Sequence, residues 1–441
     1  MDYLSISKKL VNFIQKSPSM FHTCSTISEK LDQNGFICLD EGHVWDLKQG
    51  GKYYTTRNGS SLIAFTIGED LEDYHFQITA SHSDSPTFKI KTVPTLEGPD
   101  QYIRLNVEGY GGMIDSTWFD RPLGIAGRVL VKDHDKISSR LLHIEKDVLI
   151  IPNVAIHLNR TINSGYDYNR QVDLCPLFSS GKLKVSDFNQ MIADSLNVDP
   201  DAIVSQDLFI VNHQAPSIWG WADEFVSSPK LDDLQCAFAS LEALIRSNNR
   251  KTINVYACFD NEEVGSNTKQ GAMSTFLYDC LRRINFGLGY SEEAYYQAIS
   301  KSFLVSCDNG HAVHPNHSEL TDDLNRSYMN KGIVIKEAAN QKYTTDAFSQ
   351  AVFKLICENA SVPIQHFANR SNMQGGSTLG NLSNTQVSVH AIDIGLAQLA
   401  MHSSYETAGV KDTLYAIQAL LEFYDSLITI HSSNDFMITR G

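Results

Sequence analysis

Two periodicities alternate along the chain. Short apolar runs stop abruptly at polar residues: Phe76 to Ala80 before Ser81-His82-Ser83-Asp84, Ile253 to Phe259 before Asp260, and Phe303 to Ser306 before Asp308. Runs of that length fit buried strands, and chemistry gathered at strand ends is the habit of α/β folds. Between them, apolar residues three and four apart predict helices. One carries Leu234, Ala237, Phe238, Leu241, Leu244 and Ile245; another, near the C-terminus, carries Leu414, Ile417, Leu420, Leu421, Tyr424 and Leu427. The stretch 94–227 has a different texture, with alternating runs such as Arg128-Val129-Leu130-Val131, frequent glycines (Gly109, Gly111, Gly112, Gly124, Gly127) and few helical patterns. It predicts a mostly β insertion. The expected architecture is an α/β domain, discontinuous over 1–93 and 228–441, interrupted by a β-rich unit over 94–227.

Composition narrows the picture at a few points. The chain has 441 residues and a formal charge of −15 without a basic cluster, which argues against non-specific nucleic-acid binding. Eight scattered cysteines without a C-x-x-C pair predict a reducing, cytoplasmic setting. Met1 to Lys16 is amphipathic and lacks the apolar core of about 7 to 15 residues that a signal peptide needs, so it reads as a helix. No run approaches the about 20 apolar residues of a membrane span.

The chemistry concentrates at Asp260-Asn261-Glu262-Glu263-Val264-Gly265, where an apolar strand gives way to two adjacent carboxylates. One can ligate a metal while its neighbour serves as general base, two jobs that one side chain cannot do together. Successive residues on a strand point to opposite faces, so the strand must end by Asn261 or Glu262 for both to serve one site. Elsewhere, His82 ends a strand with Asp84 two residues on, a carboxylate that can hold its second ring nitrogen. Asp232 opens a helix, Asp308 ends a strand, and His402 follows Leu399-Ala400-Met401. Taken singly, these residues read as a helix cap, a turn aspartate and a backbone-bonded histidine. Together, His82, Asp232, Glu263, Asp308 and His402 form a mixed set suited to two divalent ions: zinc by default, with cobalt or manganese as alternatives.

These residues resemble the aspartyl aminopeptidases, a family of co-catalytic dizinc peptidases. The likeness runs nearly end to end. It includes Ser17-Pro18-Ser19-Met20-Phe21-His22, Ser81-His82-Ser83-Asp84-Ser85-Pro86, Tyr110-Gly111-Gly112 with Thr117-Trp118-Phe119-Asp120-Arg121, and Ala155-Ile156-His157-Leu158. It continues through Leu231-Asp232-Asp233-Leu234, Asp260-Asn261-Glu262-Glu263-Val264-Gly265-Ser266, Asp308-Asn309-Gly310-His311-Ala312-Val313-His314-Pro315-Asn316 and Met401-His402-Ser403. The resemblance implies a three-layer α/β/α peptidase domain with an inserted β dimerisation domain, and peptide substrates. Within the site it implies that Asp232 bridges two ions, that His82 and Asp308 complete one position and Glu263 and His402 the other, and that Glu262 is the general base. It implies a cis peptide between Asp232 and Asp233, and substrate contacts from His311 and from Lys336, the latter to an acidic first residue. It also implies a tetrahedral dodecamer built from dimers, in which His157 reaches a neighbouring subunit's site to stabilise the oxyanion.

The chain departs from the family pattern at Tyr405, where a basic residue is usual, and at Met20, where a proline is common. The leading expectation is removal of an N-terminal Asp or Glu from peptides. A neutral preference by the same mechanism, a dizinc amide hydrolase of another kind, and a silent assembly or cargo protein are the alternatives. Retention of Glu262 argues against the last.

Overall fold

The structure is a computed structural model describing residues 2–71, 73–431 and 435–441. The expected N-terminal helix runs from Tyr3 to Gln15; Met1 lies outside the described residues.

A nine-stranded sheet forms the centre, in the order Ile37–Cys38, Lys52–Arg57, Ser61–Ile67, Ile253–Phe259, Phe76–His82, Phe303–Cys307, His390–Gly395, Ile333–Glu337 and Ile364–Ala368. Its middle four strands are mutually parallel. Side-chain alternation feeds two cores. Tyr256 and Cys258 face one layer, with helices Tyr3–Gln15, Leu231–Arg246 and Asp412–Asp425; Val255, Ala257 and Phe259 face the other, with helices Phe276–Gly287 and Glu292–Ser300. This is the expected three-layer α/β/α arrangement, and its central parallel strands are buried on both faces as parallel strands must be.

A second, antiparallel sheet of six strands is ordered Lys136–Leu149, Leu123–Asp133, Ile203–Asn212, Thr87–Glu97, Tyr102–Tyr110 and Leu177–Ser180. It has its own core, including Phe88, Leu105, Ile125 and Leu208, closed by Phe188 and Ile192 of helix Asp187–Leu196. A third sheet joins Ser217–Trp219 and Phe225–Ser228 to Glu406–Gly409, Ala397–Leu399 and Gly310–His311.

The C-terminal helix stops at Asp425, and Leu427 belongs to the strand Ser426–His431. The β-branched run Ile428-Thr429-Ile430 favours extension there, and Ser426 adopts φ −82°, ψ 148°. Among the described residues, no helix is long and apolar enough to cross a membrane.

Candidate active site

Three neighbouring parallel strands end at the same edge of the central sheet. Phe76–His82 delivers His82, the turn after Ile253–Phe259 delivers Glu262 and Glu263, and Phe303–Cys307 leads into Asp308. Crevices at the carboxyl ends of parallel strands are where α/β folds bind ligands. Two further loops close in, bringing Asp232 from the start of helix Leu231–Arg246 and His402 from the connection between Ala397–Leu399 and Glu406–Gly409.

Asp232 lies at the middle. Its Oδ1 is 3.4 Å from His82 Nε2 and its Oδ2 is 3.5 Å from His402 Nε2. His82 Nε2 is 3.8 Å from Asp308 Oδ1, and His402 Nε2 is 3.3 Å from Glu263 Oε2. Asp232 is not helical (φ −82°, ψ 109°), so regular helix begins beyond Asp233, and the Asp232–Asp233 peptide is cis.

The acidic doublet is presented as its alternation problem requires. The strand ends at Phe259, Asn261 turns left-handed at φ 62°, and a 3-10 turn spans Glu262–Val264. Asp84 holds that turn, its Oδ1 accepting the Glu262 N–H and its Oδ2 the Glu263 N–H, both at 3.2 Å. The same carboxylate accepts the Tyr110 hydroxyl at 2.7 Å and lies 3.4 Å from His82 Nδ1. Gly111, at φ +82°, packs so closely on Glu263 that a Cβ there would meet the Glu263 Cβ at 3.2 Å.

The donor set fits divalent metal. Ligand atoms of His82, Asp232, Asp233 and Asp308 lie within 4.8 Å of one another, as do those of His82, Glu262 and Glu263, and those of Asp232, Glu263 and His402. Asp232 Oδ1, Asp233 Oδ1 and Glu263 Oε1 are buried without a hydrogen-bond partner among the described residues, a costly condition that an ion would relieve. Without an ion the cluster favours protons. Burial, reinforced by Asp308, Asp84 and Asp232, lifts the Glu262 carboxyl to about 8, and burial with Asp232 holds Glu263 well above the carboxylate range. Burial opposes charge on His402, yet Asp232 and Glu406 raise its imidazole to about 9.

Lys336 is 2% exposed and donates to the backbone oxygens of Asp308 at 2.8 Å and Asn309 at 3.2 Å, with Asp308 Oδ2 at 3.6 Å and the Tyr343 ring centroid at 5.2 Å. It is a buried cation set against a candidate ligand rather than an exposed strand-end lysine. His311 lies in the short strand Gly310–His311, its ring 6.4 Å from that of Phe367. Tyr405 is turned onto the connection between Ile203–Asn212 and Ser217–Trp219, its hydroxyl donating to Ala215 O at 2.7 Å. Met20 is buried with Phe21 and Phe209. His157 is not brought to the cluster within one subunit; it occupies an exposed turn between exposed Ile156 and Leu158.

Sequence reasoning missed Glu406. This acid is 2% exposed, and it accepts the Asp232 N–H at 3.0 Å and the His402 N–H at 2.8 Å. Its signal was available: a carboxylate heading Glu406-Thr407-Ala408-Gly409, otherwise small and uncharged, four residues after His402. Tyr110 was also unassigned, although Tyr110-Gly111-Gly112 stood out.

A three-layer α/β fold with a buried histidine and carboxylate cluster at its strand ends defines a metallohydrolase. The profile described as aminopeptidase I zinc metalloprotease (M18) matches residues 13–424, and the chain belongs to that family. A relative in Clostridium novyi (strain NT), named probable M18 family aminopeptidase 2, is 46% identical over 428 residues, covering 96% of this chain and 99% of its own. One of the same name in Pseudomonas aeruginosa (strain LESB58) is 37% identical over 428 residues, covering 96% and 98%. Among solved structures, the cryo-EM structure of the Ape4 and Nbr1 complex is similar at a TM-score of 0.92 and 35% identity, over 96% of this chain and 86% of that one. The S. cerevisiae mApe1 dodecamer is similar at 0.85 and 27%, over 96% and 97%.

Proposed function

We propose that this aminopeptidase removes an N-terminal Asp or Glu from peptides with two divalent ions, zinc by default. The observation that carries the reading is Asp232 lying between two histidines, each with a further carboxylate beside it. His82, Asp232 and Asp308 would hold one ion, and Asp232, Glu263 and His402 the other. When bound, the ions would supply Lewis acidity to the scissile carbonyl oxygen and to the attacking water. Glu262 takes the proton of that water on a carboxylate oxygen and returns it to the amide nitrogen as the C–N bond breaks. Asp84 keeps His82 in the tautomer that offers Nε2, and fixes the turn from which Glu262 projects.

Lys336 uses two of its N–H groups on Asp308 O and Asn309 O. The third supports capture of an acidic side chain, and His311 is read as a further substrate contact. The same engagement, with Tyr405 tied to Ala215, favours the second reading, a neutral first residue. A panel of reporter substrates with Asp, Glu, Leu, Lys and Ala at the first position separates the two. Asp and Glu should lead on the wild type, and Lys336→Met should erase that lead; Leu equalling Asp on the wild type ends the acidic reading.

The six-stranded sheet is proposed as a dimerisation unit. Its strand membership supports limits nearer 87 and 212 than 94 and 227. Exposed Val154, Ile156 and Leu158 bracket His157 and suit a subunit contact. We read the assembly as a tetrahedral dodecamer of dimers, as the mApe1 neighbour is a dodecamer, with His157 donating to the oxyanion in a neighbouring subunit. His157→Ala should lower kcat by about 10²- to 10³-fold with metal content unchanged; an unaltered rate excludes the donation. Eight free cysteines support a cytoplasmic location.

A further inference from the structure

Beneath the cluster lies a connected set of buried polar side chains that the chemistry above does not use. Glu406 and Gln398 are 2% and 1% exposed, and Asn309 and Gln235 are 3% and 0%. Glu406 Oε2 accepts the N–H of Asp232 and Oε1 the N–H of His402. Gln398 Nε2 approaches Glu406 Oε1 at 3.4 Å, and Gln398 Oε1 accepts from Asn309 Nδ2 at 2.9 Å. Asn309 Nδ2 also lies 3.0 Å from Gln235 Oε1 and 3.1 Å from Leu231 O. Three candidate ligands therefore share one substructure. Asp232 is held at its own nitrogen and through Leu231, His402 at its nitrogen, and Asp308 through the next residue in the chain.

We propose that Glu406 is a positioning residue for the metal centre, fixing the separation between Asp232 and His402 by holding their two N–H groups on one carboxylate. The inference rests on the ligand assignment proposed above. A carboxylate is expensive to bury and persists where both oxygens accept. These two donors come from distant segments, residues 232 and 402, and an acid with two splayed oxygens binds both from one Cδ. His402 stands at φ 63°, a left-handed conformation uncommon for a residue with a Cβ. The Glu406 bond to its nitrogen holds the loop in that shape together with the Ile114 N–H on His402 O and the Ser403 N–H on Ala400 O. Glutamine is isosteric but presents one oxygen and one NH₂, so one of the two N–H groups would face a donor.

The test uses full-length protein, chelated and then titrated with Co²⁺, whose d–d absorption reports both affinity and ligand geometry. Glu406→Gln should bind Co²⁺ about 10- to 100-fold more weakly, with an altered spectrum. Gln398→Met, which removes the amide between Glu406 and Asn309 without opposing two donors, should weaken binding by about 10-fold, and it carries the test if Glu406→Gln fails to fold. Glu406→Asp retains two acceptors and should recover part of the loss. Wild-type affinity and spectrum in Glu406→Gln, or in Gln398→Met if that variant stands alone, overturn the proposal. His402→Ala runs in parallel. If it weakens Co²⁺ binding and Glu406→Gln does not, only the positioning role fails; if neither does, the ligand assignment itself has failed.

Discussion

Glu262→Gln should lower kcat by about 10²- to 10⁴-fold while leaving the metal content of the protein unchanged. Among the described residues, the Glu262 side chain makes no hydrogen bond that fixes a neighbouring ligand. Its contribution to the framework is its backbone N–H, bonded to Asp84 Oδ1 at 3.2 Å, and glutamine keeps that bond. What glutamine lacks is basicity. A carboxylate oxygen of Glu262 lies within 4.8 Å of ligand atoms of His82 and Glu263, close enough to take a proton from a water attacking there. Steady-state kinetics with metal analysis on the same preparation decides the point. Reduced kcat with an unchanged KM and full metal content is the expected pattern. A variant that keeps more than about a tenth of wild-type kcat would place the base elsewhere, since removing a general base costs at least that much.

Metal removal should do more than stop turnover; it should make stability fall as pH rises. Burial, reinforced by Asp308, raises the Glu262 carboxyl to about 8, and burial with Asp232 holds Glu263 well above the carboxylate range. The unfolded value for a glutamate is about 4.3. Between about 4.3 and 8 the metal-free folded protein binds more protons than the unfolded chain, so the contribution of these groups is fully present below about 4.3 and is lost as pH climbs through 8. His402 acts in the same direction, because its folded value of about 9 exceeds the unfolded imidazole value of about 6.5. Bound ions replace those protons, and at 1,000-fold excess over Kd each would add about 4 kcal/mol. Thermal unfolding of chelated and zinc-loaded protein from about pH 5.5 to 9 should show a gap that widens with pH. Parallel curves across that range would mean that the carboxylate cluster is not where the metal acts.

The strands that carry His82, Glu262, Glu263 and Asp308 were legible because each is an apolar run with a polar terminus, a pattern local to a few residues. The end of the strand Ile253–Phe259 followed from the need to put two successive carboxylates in one site, whereas the left-handed Asn261 that turns them inward was not anticipated. Glu406 was not legible in the same way, since its partners are N–H groups of residues 232 and 402 and backbone donors leave no trace in a sequence. The setting of Lys336 escaped for a related reason: nothing local announces that a strand-end ammonium will be buried against Asp308 and its neighbour. The β-rich insertion was expected over 94–227, and the strand Thr87–Glu97 of the second sheet runs through position 94, a proline. Its pairing with Tyr102–Tyr110 shifts register between Ile90 and Thr95, so the irregularity tolerates a proline while the strand continues. The C-terminal helix was read two residues too far because Leu427 keeps helical spacing from Tyr424 while belonging to the strand that follows.

Segment 110–117 leaves the six-stranded sheet and grips the loops of the candidate metal ligands from outside. Tyr110 bonds Asp84 and accepts from Asn261 Nδ2 at 2.7 Å, and Gly111 lies on Glu263. Ile114 N–H donates to His402 O at 3.0 Å, and Thr117 receives both the N–H and the hydroxyl of Ser404. A swing of one sheet against the other would therefore drag Glu263 and His402 with it. If Glu263 and His402 hold metal as proposed, these bonds set the spacing of the site from the second sheet, and hinge motion between the two largest sheets would come at the expense of that spacing.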